Sequence, residues 1–248
     1  MKLTLTEPRY FRDSMLIISE LVNEVNIRFY RDRIEIVAMD PANVAMVMFK
    51  LLSSAFSEYN VVEGKVIGIN LLNLTQILKR AKPTDVLSLE IDGDKNRLVV
   101  TLRGNSSKKF ELGLLDIEER EQKIPNLKFT TRIETNSLIF NDAIEDMDVI
   151  SDSLTFNAAN DKFVINSEGN VSSGSVEVGS GEETSIMLSD GAVNAKYSVE
   201  YLKKIMKGSK LANTVAVEFG QDYPLRVEYK VIDRLALQFV LAPRTPTD

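Results

Sequence analysis

Hydrophobic positions along the chain recur at two spacings, and the spacing switches several times. Phe11, Met15, Ile18 and Val22 follow one another at steps of three and four, which predicts an amphipathic helix with Pro8 tolerated in its opening turn. Leu71, Leu74, Ile77 and Leu78 repeat that pattern behind Asn70, a plausible N-cap, and Pro83 stands just beyond the end. A third helix is expected from about Ser137 to Met147, with Leu138, Phe140, Ala143, Ile144 and Met147 as its apolar positions. A fourth runs from about Ser198 to Gly208, turning Val199, Leu202, Ile205 and Met206 inward and stopping at the glycine. Between the helices, apolar and polar residues alternate as in half-buried strands, at Ile27–Phe29, Arg33–Val37, Val86–Ile91, Leu98–Leu102, Phe110–Leu112, Val215–Phe219 and Leu235–Leu241. The pattern predicts an α+β fold, rich in strands, with short helices.

The pattern also repeats. Leu71, Leu74, Ile77, Leu78, Lys79, Lys82, Leu87, Leu89 and Ile91 lie 128 positions before Val199, Leu202, Ile205, Met206, Lys207, Lys210, Val215, Val217 and Phe219. Every apolar residue meets an apolar one, and both lysines meet lysines. With a shift of one, Leu98, Val100, Leu102, Phe110, Leu112 and Leu114 lie 127 before Leu225, Val227, Tyr229, Leu237, Phe239 and Leu241, and Ile27 and Phe29 lie 127 before Leu154 and Phe156. One strand could match by chance; a helix, a turn and several strands in one register point to a duplicated unit. The expected organisation is a first domain over 1–114, an exposed charged connector over 115–128 and a second domain over 129–248. Asn166 to Gly181, rich in Gly and Ser, reads either as a mobile loop or as an edge strand around Val171, Val176 and Val178 that needs a partner.

Composition narrows the chemistry. The 248 residues include no Cys and no His. That excludes a disulfide framework, a thiolate metal site, a Ser-His-Asp triad and an imidazole working near neutral pH. Asp40 follows an apolar strand, where a metal ligand could sit, but Asp before Pro41 is equally a turn residue, and Asp92-Gly93-Asp94 reads as a hairpin turn. Neither Gly-rich phosphate-loop pattern occurs. No catalytic residue, metal or cofactor is therefore expected. The N-terminus lacks the apolar core of a signal peptide, and runs such as Val44–Phe49 are far short of the roughly 20 residues that span a bilayer, so a soluble intracellular protein with no membrane partner is expected.

Lys+Arg number 30 against Asp+Glu 36, a formal charge of -6, so any affinity for nucleic acid has to come from where the cations sit. Lys79, Arg80 and Lys82 close the second helix, while Lys203, Lys204, Lys207 and Lys210 run along and past the fourth. Cations at helix C-termini are each worth about 0.3–1 kcal/mol against the helix dipole. That accounts for Lys79 and Lys207 singly, but not for the same offsets being basic in both halves of an acidic protein. A duplicated basic face suggests a helical polyanion, and Arg9 and Arg12 on the first helix can join it. The third helix breaks the scheme with Asp142, Glu145, Asp146 and Asp148.

Several segments together carry a resemblance: Ala38-Met39-Asp40-Pro41-Ala42-Asn43-Val44, Gly68-Ile69-Asn70-Leu71, Ile77-Leu78-Lys79-Arg80-Ala81, Pro224-Leu225-Arg226-Val227-Glu228-Tyr229 and Leu241-Ala242-Pro243-Arg244. In order and spacing the chain resembles the proliferating cell nuclear antigen family, the DNA sliding clamps of archaea and eukaryotes. The resemblance implies two duplicated clamp domains, with antiparallel sheets outside and helices lining the channel of a three-subunit ring around duplex DNA, which is held without regard to sequence. It further implies a protein that catalyses nothing, is opened and closed by a clamp loader, and tethers DNA polymerase, flap endonuclease and DNA ligase, in the cytoplasm or nucleoid of an archaeon or the nucleus of a eukaryote.

Carried over position by position, the resemblance gives the channel role to Arg12, Lys79 and Lys207, and by adjacency to Arg9, Arg80, Lys82, Lys203, Lys204 and Lys210. The family's pocket for short client segments, between the domains and under the connector, falls on Met39, Val44, Met46, Ile124, Pro125, Pro224, Leu241, Ala242 and Pro243. Subunit contact falls on Lys108, Phe110 and Leu112 of one strand and Val176 and Val178 of another. The chain departs from the family at Asp142, Glu145 and Glu200, where cations are common, and at Gln122, where an aliphatic residue is usual. Two alternatives stay open: a subunit of a ring built from unlike or checkpoint-type chains, and a carboxylate-dependent phosphodiesterase around Asp40.

Overall fold

The computed structural model describes residues 1–118, 122–159, 161–189 and 191–245. Eleven regular elements occupy the first half of the chain: β1 (Lys2–Leu5), α1 (Arg9–Ile18), β2 (Glu24–Phe29), β3 (Arg33–Met39), β4 (Ala45–Leu52), β5 (Glu58–Asn60), β6 (Val66–Asn70), α2 (Leu71–Leu78), β7 (Val86–Asp92), β8 (Arg97–Arg103) and β9 (Ser107–Gly113). The second half repeats them in the same order: β10 (Thr131–Asn136), α3 (Ser137–Asp148), β11 (Ser153–Ala159), β12 (Lys162–Glu168), β13 (Ser173–Gly179), β14 (Thr184–Leu188), β15 (Val193–Ser198), α4 (Val199–Ile205), β16 (Thr214–Phe219), β17 (Leu225–Val231) and β18 (Leu235–Leu241). The chain divides into unit 1, Met1–Pro41 with Val47–Gln122 and Val231–Leu237, and unit 2, Ala42–Met46 with Lys123–Lys230 and Gln238–Asp248.

Strand order repeats as well. The first half orders β5-β1-β7-β8-β9 and β4-β3-β2-β6; the second orders β14-β10-β16-β17-β18 and β13-β12-β11-β15. Even the register is kept, since Leu3 faces Leu89 across β1 and β7 while Ile133 faces Val217 across β10 and β16. Within unit 2, Ala242 N donates to Val44 O at 2.9 Å, and within unit 1, Leu52 N donates to Arg234 O at 2.8 Å. Strand β18 is thus bonded alongside β4.

Each unit buries the apolar faces of its helices against its strands. Phe11, Met15 and Ile18 of α1 and Leu71, Leu74 and Leu78 of α2 are buried, as are Phe140, Ala143, Ile144 and Met147 of α3 and Val199, Leu202 and Ile205 of α4. Asn70 Oδ1 accepts from Asn73 N at 3.0 Å, so α2 begins where an N-cap satisfies an orphan amide. The two interiors are filled differently. Unit 2 packs Phe156 edge-on against Phe140, Phe163, Tyr197 and Phe219. Unit 1 has Phe29 and Phe11 beside aliphatic Ile34, Ile69 and Ile91. The buried Tyr197 hydroxyl donates to Tyr223 O at 2.7 Å, and burial pushes its phenol well above the ordinary range.

Three readings of the sequence need adjustment, and one open alternative is decided. Leu138 faces outward, 64% exposed, because the buried stripe of α3 runs through Phe140, Ala143, Ile144 and Met147 instead. The fourth helix ends at Ile205 and tightens into a 3-10 turn over Met206–Lys210, with Gly208 lying against the Tyr229 ring. The Gly/Ser-rich stretch forms edge strand β13, not a loop, since Val176 and Val178 face Ile165 and Phe163 of β12. The connector is not exposed throughout, because its first residues are docked: Leu115 N donates to Gly68 O at 2.9 Å. Glu119, Arg120 and Glu121 in its middle lie outside the described residues.

Candidate nucleic-acid and partner surfaces

In unit 1, α1 and α2 lie side by side and are stitched at one end by Arg12. Its guanidinium donates to Asp13 Oδ1 at 2.7 Å and to Ala81 O at 3.3 Å, just past α2. Unit 2 makes the equivalent stitch with a neutral pair, the Asn141 side-chain amide 2.8 Å from Ser209 Oγ. Arg12 thus works inside the unit, half-buried, rather than as a free cation. Arg9 stacks on Tyr10, its Cζ 4.6 Å from the ring centre. Lys79 caps α2, and Arg80 and Ala81 continue as a tight turn with bonds to Ile77 O and Leu78 O. Lys79, Arg80 and Lys82 stand exposed, with no side-chain ion pair among the described residues. In unit 2, Lys203 Nζ sits 2.5 Å from Asp148 Oδ2 and Lys204 Nζ sits 2.7 Å from Glu200 Oε1. Lys207 and Lys210 lie on the 3-10 turn after α4, as Lys79 and Arg80 lie on the turn after α2.

The second surface is a pair of edges. Strand β9 closes one end of its sheet, with Lys108, Phe110 and Leu112 half-buried and Ser107, Lys109 and Glu111 exposed. Strand β13 closes one end of the other kind of sheet with the same alternation, Gly174, Val176 and Val178 being half-buried. Both edges carry an ion pair on the exposed side: Glu111 with Arg97 at 2.7 Å and Glu177 with Lys162 at 2.7 Å. The hydrogen bond from Arg97 holds the Glu111 carboxyl below the usual carboxylate range.

The third surface borders the connector. A groove of about 490 Å³ in unit 1 is lined by Arg28, Val37, Met39, Ile117, Glu118 and Gln122 among others. Its connector wall is set by Gly68: a Cβ there would fall on the Leu115 carbonyl and within 2.9 Å of Ile117 Cγ1. Asn26 Nδ2 adds a bond to Ile117 O at 3.4 Å. Met39 half-faces this groove. In unit 2, Val44, Pro224 and Pro243 are half-exposed, and Ile124, Pro125 and Ala242 are exposed. Met46 and Leu241 are buried at 4% and 0% exposure, so neither presents surface to a client. Gly68 and Ile117 shape this groove without standing among the residues that the sequence singles out. A lone glycine inside a strand pattern signals close backbone approach.

Leu241→Ala should destabilise the fold by about 2–5 kcal/mol by leaving a cavity, whereas Ile124→Ala should shift stability by no more than about 0.5 kcal/mol. Thermal unfolding of the two variants checks the assignment of Leu241 to the core.

Among the described residues, no group of three or more acidic, His or Cys side chains could hold a metal ion, and Asp40 is buried beneath its turn. No helix among them is long and apolar enough to cross a membrane. Two copies of one α+β unit, each with a helix pair on one side and sheets with open edges, define the clamp class of folds.

The comparisons agree. Residues 3–122 match the family "Proliferating cell nuclear antigen, N-terminal domain", and residues 123–244 match "Proliferating cell nuclear antigen, C-terminal domain". A DNA polymerase sliding clamp of Pyrococcus furiosus is 34% identical over 227 residues, 91% of each chain. One of Nanoarchaeum equitans is 33% identical over 249 residues, covering 99% of this chain and 100% of the relative. The crystal structure of proliferating cell nuclear antigen from Thermococcus kodakaraensis superposes with a TM-score of 0.92 at 28% identity, over 98% of this chain and 99% of that one. The chain belongs to the proliferating cell nuclear antigen family of DNA sliding clamps, non-catalytic processivity factors of replication. Its fold is that of two duplicated clamp domains, as the sequence repeat implied.

Proposed function

We propose that three copies of the chain close head to tail into a ring around duplex DNA, with the helix pairs toward the DNA and the connector groove available to replication enzymes. The observation that carries the closure is an imbalance within the duplication. Strand β18, counterpart of β9, is hydrogen-bonded alongside β4, counterpart of β13. Strands β9 and β13 themselves stand at sheet ends. A second copy can give β9 the partner that β18 already has, through Lys108, Phe110 and Leu112 against Val176 and Val178. An edge row of unpaired amides is a template for just such pairing.

A sliding ring needs contacts that position without specifying, which phosphate contacts supply. Each water-screened ion contact at about 4 Å is worth about 1 kcal/mol. The hold is therefore loose and salt-sensitive, and closure of the ring keeps it on the template. Lys79, Arg80, Lys82 and Lys210 are the cations best placed for that hold. Clients such as polymerase, flap endonuclease and ligase are proposed to engage Met39 in unit 1 and Val44, Ile124, Pro125, Pro224, Ala242 and Pro243 in unit 2, flexible methionine suiting varied partners. The division into 1–114, connector 115–128 and 129–248 follows the same reading.

Sedimentation should show a particle of three chains of 27.8 kDa each, and a clamp loader should retain it on circular but not linear DNA. A chain that stays monomeric at high concentration and recruits no related chain would overturn the reading.

A further inference from the structure

The two helix pairs are built alike and charged unlike. Over 9–18 and 71–82, unit 1 carries five cations (Arg9, Arg12, Lys79, Arg80 and Lys82) against Asp13, a net of +4, with Arg9 paired to Glu7 at 3.8 Å and Arg12 to Asp13 at 2.7 Å. Over 137–148 and 199–210, unit 2 carries four lysines against Asp142, Glu145, Asp146, Asp148 and Glu200, a net of -1. Three of the four unit 2 lysines are already engaged, and Lys210 alone has no ion pair among the described residues. Lys203 is held by Asp148 of the neighbouring helix, and Lys204 by Glu200 one turn back on its own. Lys204 also lies 5.1 Å from the Tyr201 ring centre, and Lys207 is engaged as well.

A lysine already paired with a carboxylate has to break that pair to take a phosphate. It therefore exchanges one ion contact for another and releases little of the condensed counterion atmosphere that drives protein–DNA binding. At a Debye length of about 8–10 Å, such a pair is seen by a passing phosphate as a dipole rather than a charge. Three exposed cations without ion-pair partners among the described residues, on the turn after α2, present full charge.

We propose that DNA is held mainly by the helix pair of unit 1, and that Asp148 and Glu200 mask Lys203 and Lys204 and leave Lys210 as the exposed lysine of the unit 2 pair, so that each chain offers one stronger and one weaker gripping face. This rests on the reading that both helix pairs face the DNA, and the test separates the two.

The assay is the slope of log affinity against log salt for a short linear duplex, using the assembled full-length protein. Replacing Lys79, Arg80 and Lys82 by Gln should lower the slope by about 2 or more. Replacing Lys203 and Lys204 by Gln should lower it by less than a third of that. Asp148→Asn with Glu200→Gln should raise it by about 1–2, as Lys203 and Lys204 become free. Because these side chains lie at the surface, assembled mass and unfolding midpoint should stay as in the parent and are measured alongside. Equal losses from the two lysine sets, or no gain from the Asp148 and Glu200 changes, would overturn the masking while leaving the DNA-facing reading in place. No change from either lysine set would overturn that reading, and the masking with it.

Discussion

Phe110→Asp should leave the protein as single chains of 27.8 kDa in sedimentation, with the unfolding of each chain little changed. Phe110 sits at the centre of β9, opposite Val100 on β8, and is only half-buried within its own chain. In the proposed ring its remaining surface is covered by β13 of the next copy. Burying such a side chain contributes roughly 1.5–3 kcal/mol, and a carboxylate in its place brings a desolvation cost of several kcal/mol more. A loss near 4 kcal/mol per interface raises the dissociation constant about a thousandfold, and a cyclic assembly repeats it at every joint. Glu111→Gln, on the opposite side of the same strand, should leave the assembled mass unchanged. A Phe110→Asp protein that still sediments as three chains would show that β9 is not the joining edge.

Gly68→Ala should weaken binding of a client peptide by about tenfold or more, with a much smaller effect on ring mass. The added methyl has nowhere to go: the Leu115 carbonyl and the Ile117 side chain occupy its position. Either β6 or the connector has to move. The connector is the softer of the two, since Leu115 is held to β6 by a single isolated bridge. Its displacement should be visible directly, because the Leu115 amide, now bonded to Gly68 O at 2.9 Å, would exchange with solvent far faster. Unchanged peptide affinity together with a still-protected Leu115 amide would show that the docked connector has no part in client binding. The general point is that a groove wall made of loop needs a fixed footing, and here the footing is the absence of a side chain.

The legibility of this protein in its sequence divides along physical lines. Helix faces and central strands announce themselves by period, because burial on one side forces it, and the duplication followed from two such periods matching at one offset. Strand β13 is legible only as one of two alternatives: Val176 and Val178 alternate as in an edge strand, while Ser173, Gly174 and Ser175 carry too little apolar surface to decide against a loop until β12 supplies the ladder. The turn after α4 was read as more helix because α and 3-10 geometries bury nearly the same residues. Leu138 looked apolar and inward; its neighbours Phe140 and Ala143 set a stripe that leaves it out. The acidity of α3 was plain from Asp142, Glu145, Asp146 and Asp148. The pairing of Asp148 with Lys203, fifty-five residues apart, is a tertiary fact with no local trace. Leu241 shows the opposite failure: a family motif placed it at a surface that its side chain never reaches.

The alternation shared by β9 and β13 also governs how the proposed ring forms. A head-to-tail joint leaves one donor edge and one acceptor edge bare on any open intermediate, whether it holds one chain or two. Each joint covers one edge of each kind, yet every open species still shows one of each, and only the closing joint leaves none bare. Closure is the cooperative step, and partly built species are the ones most prone to stick to unrelated strands.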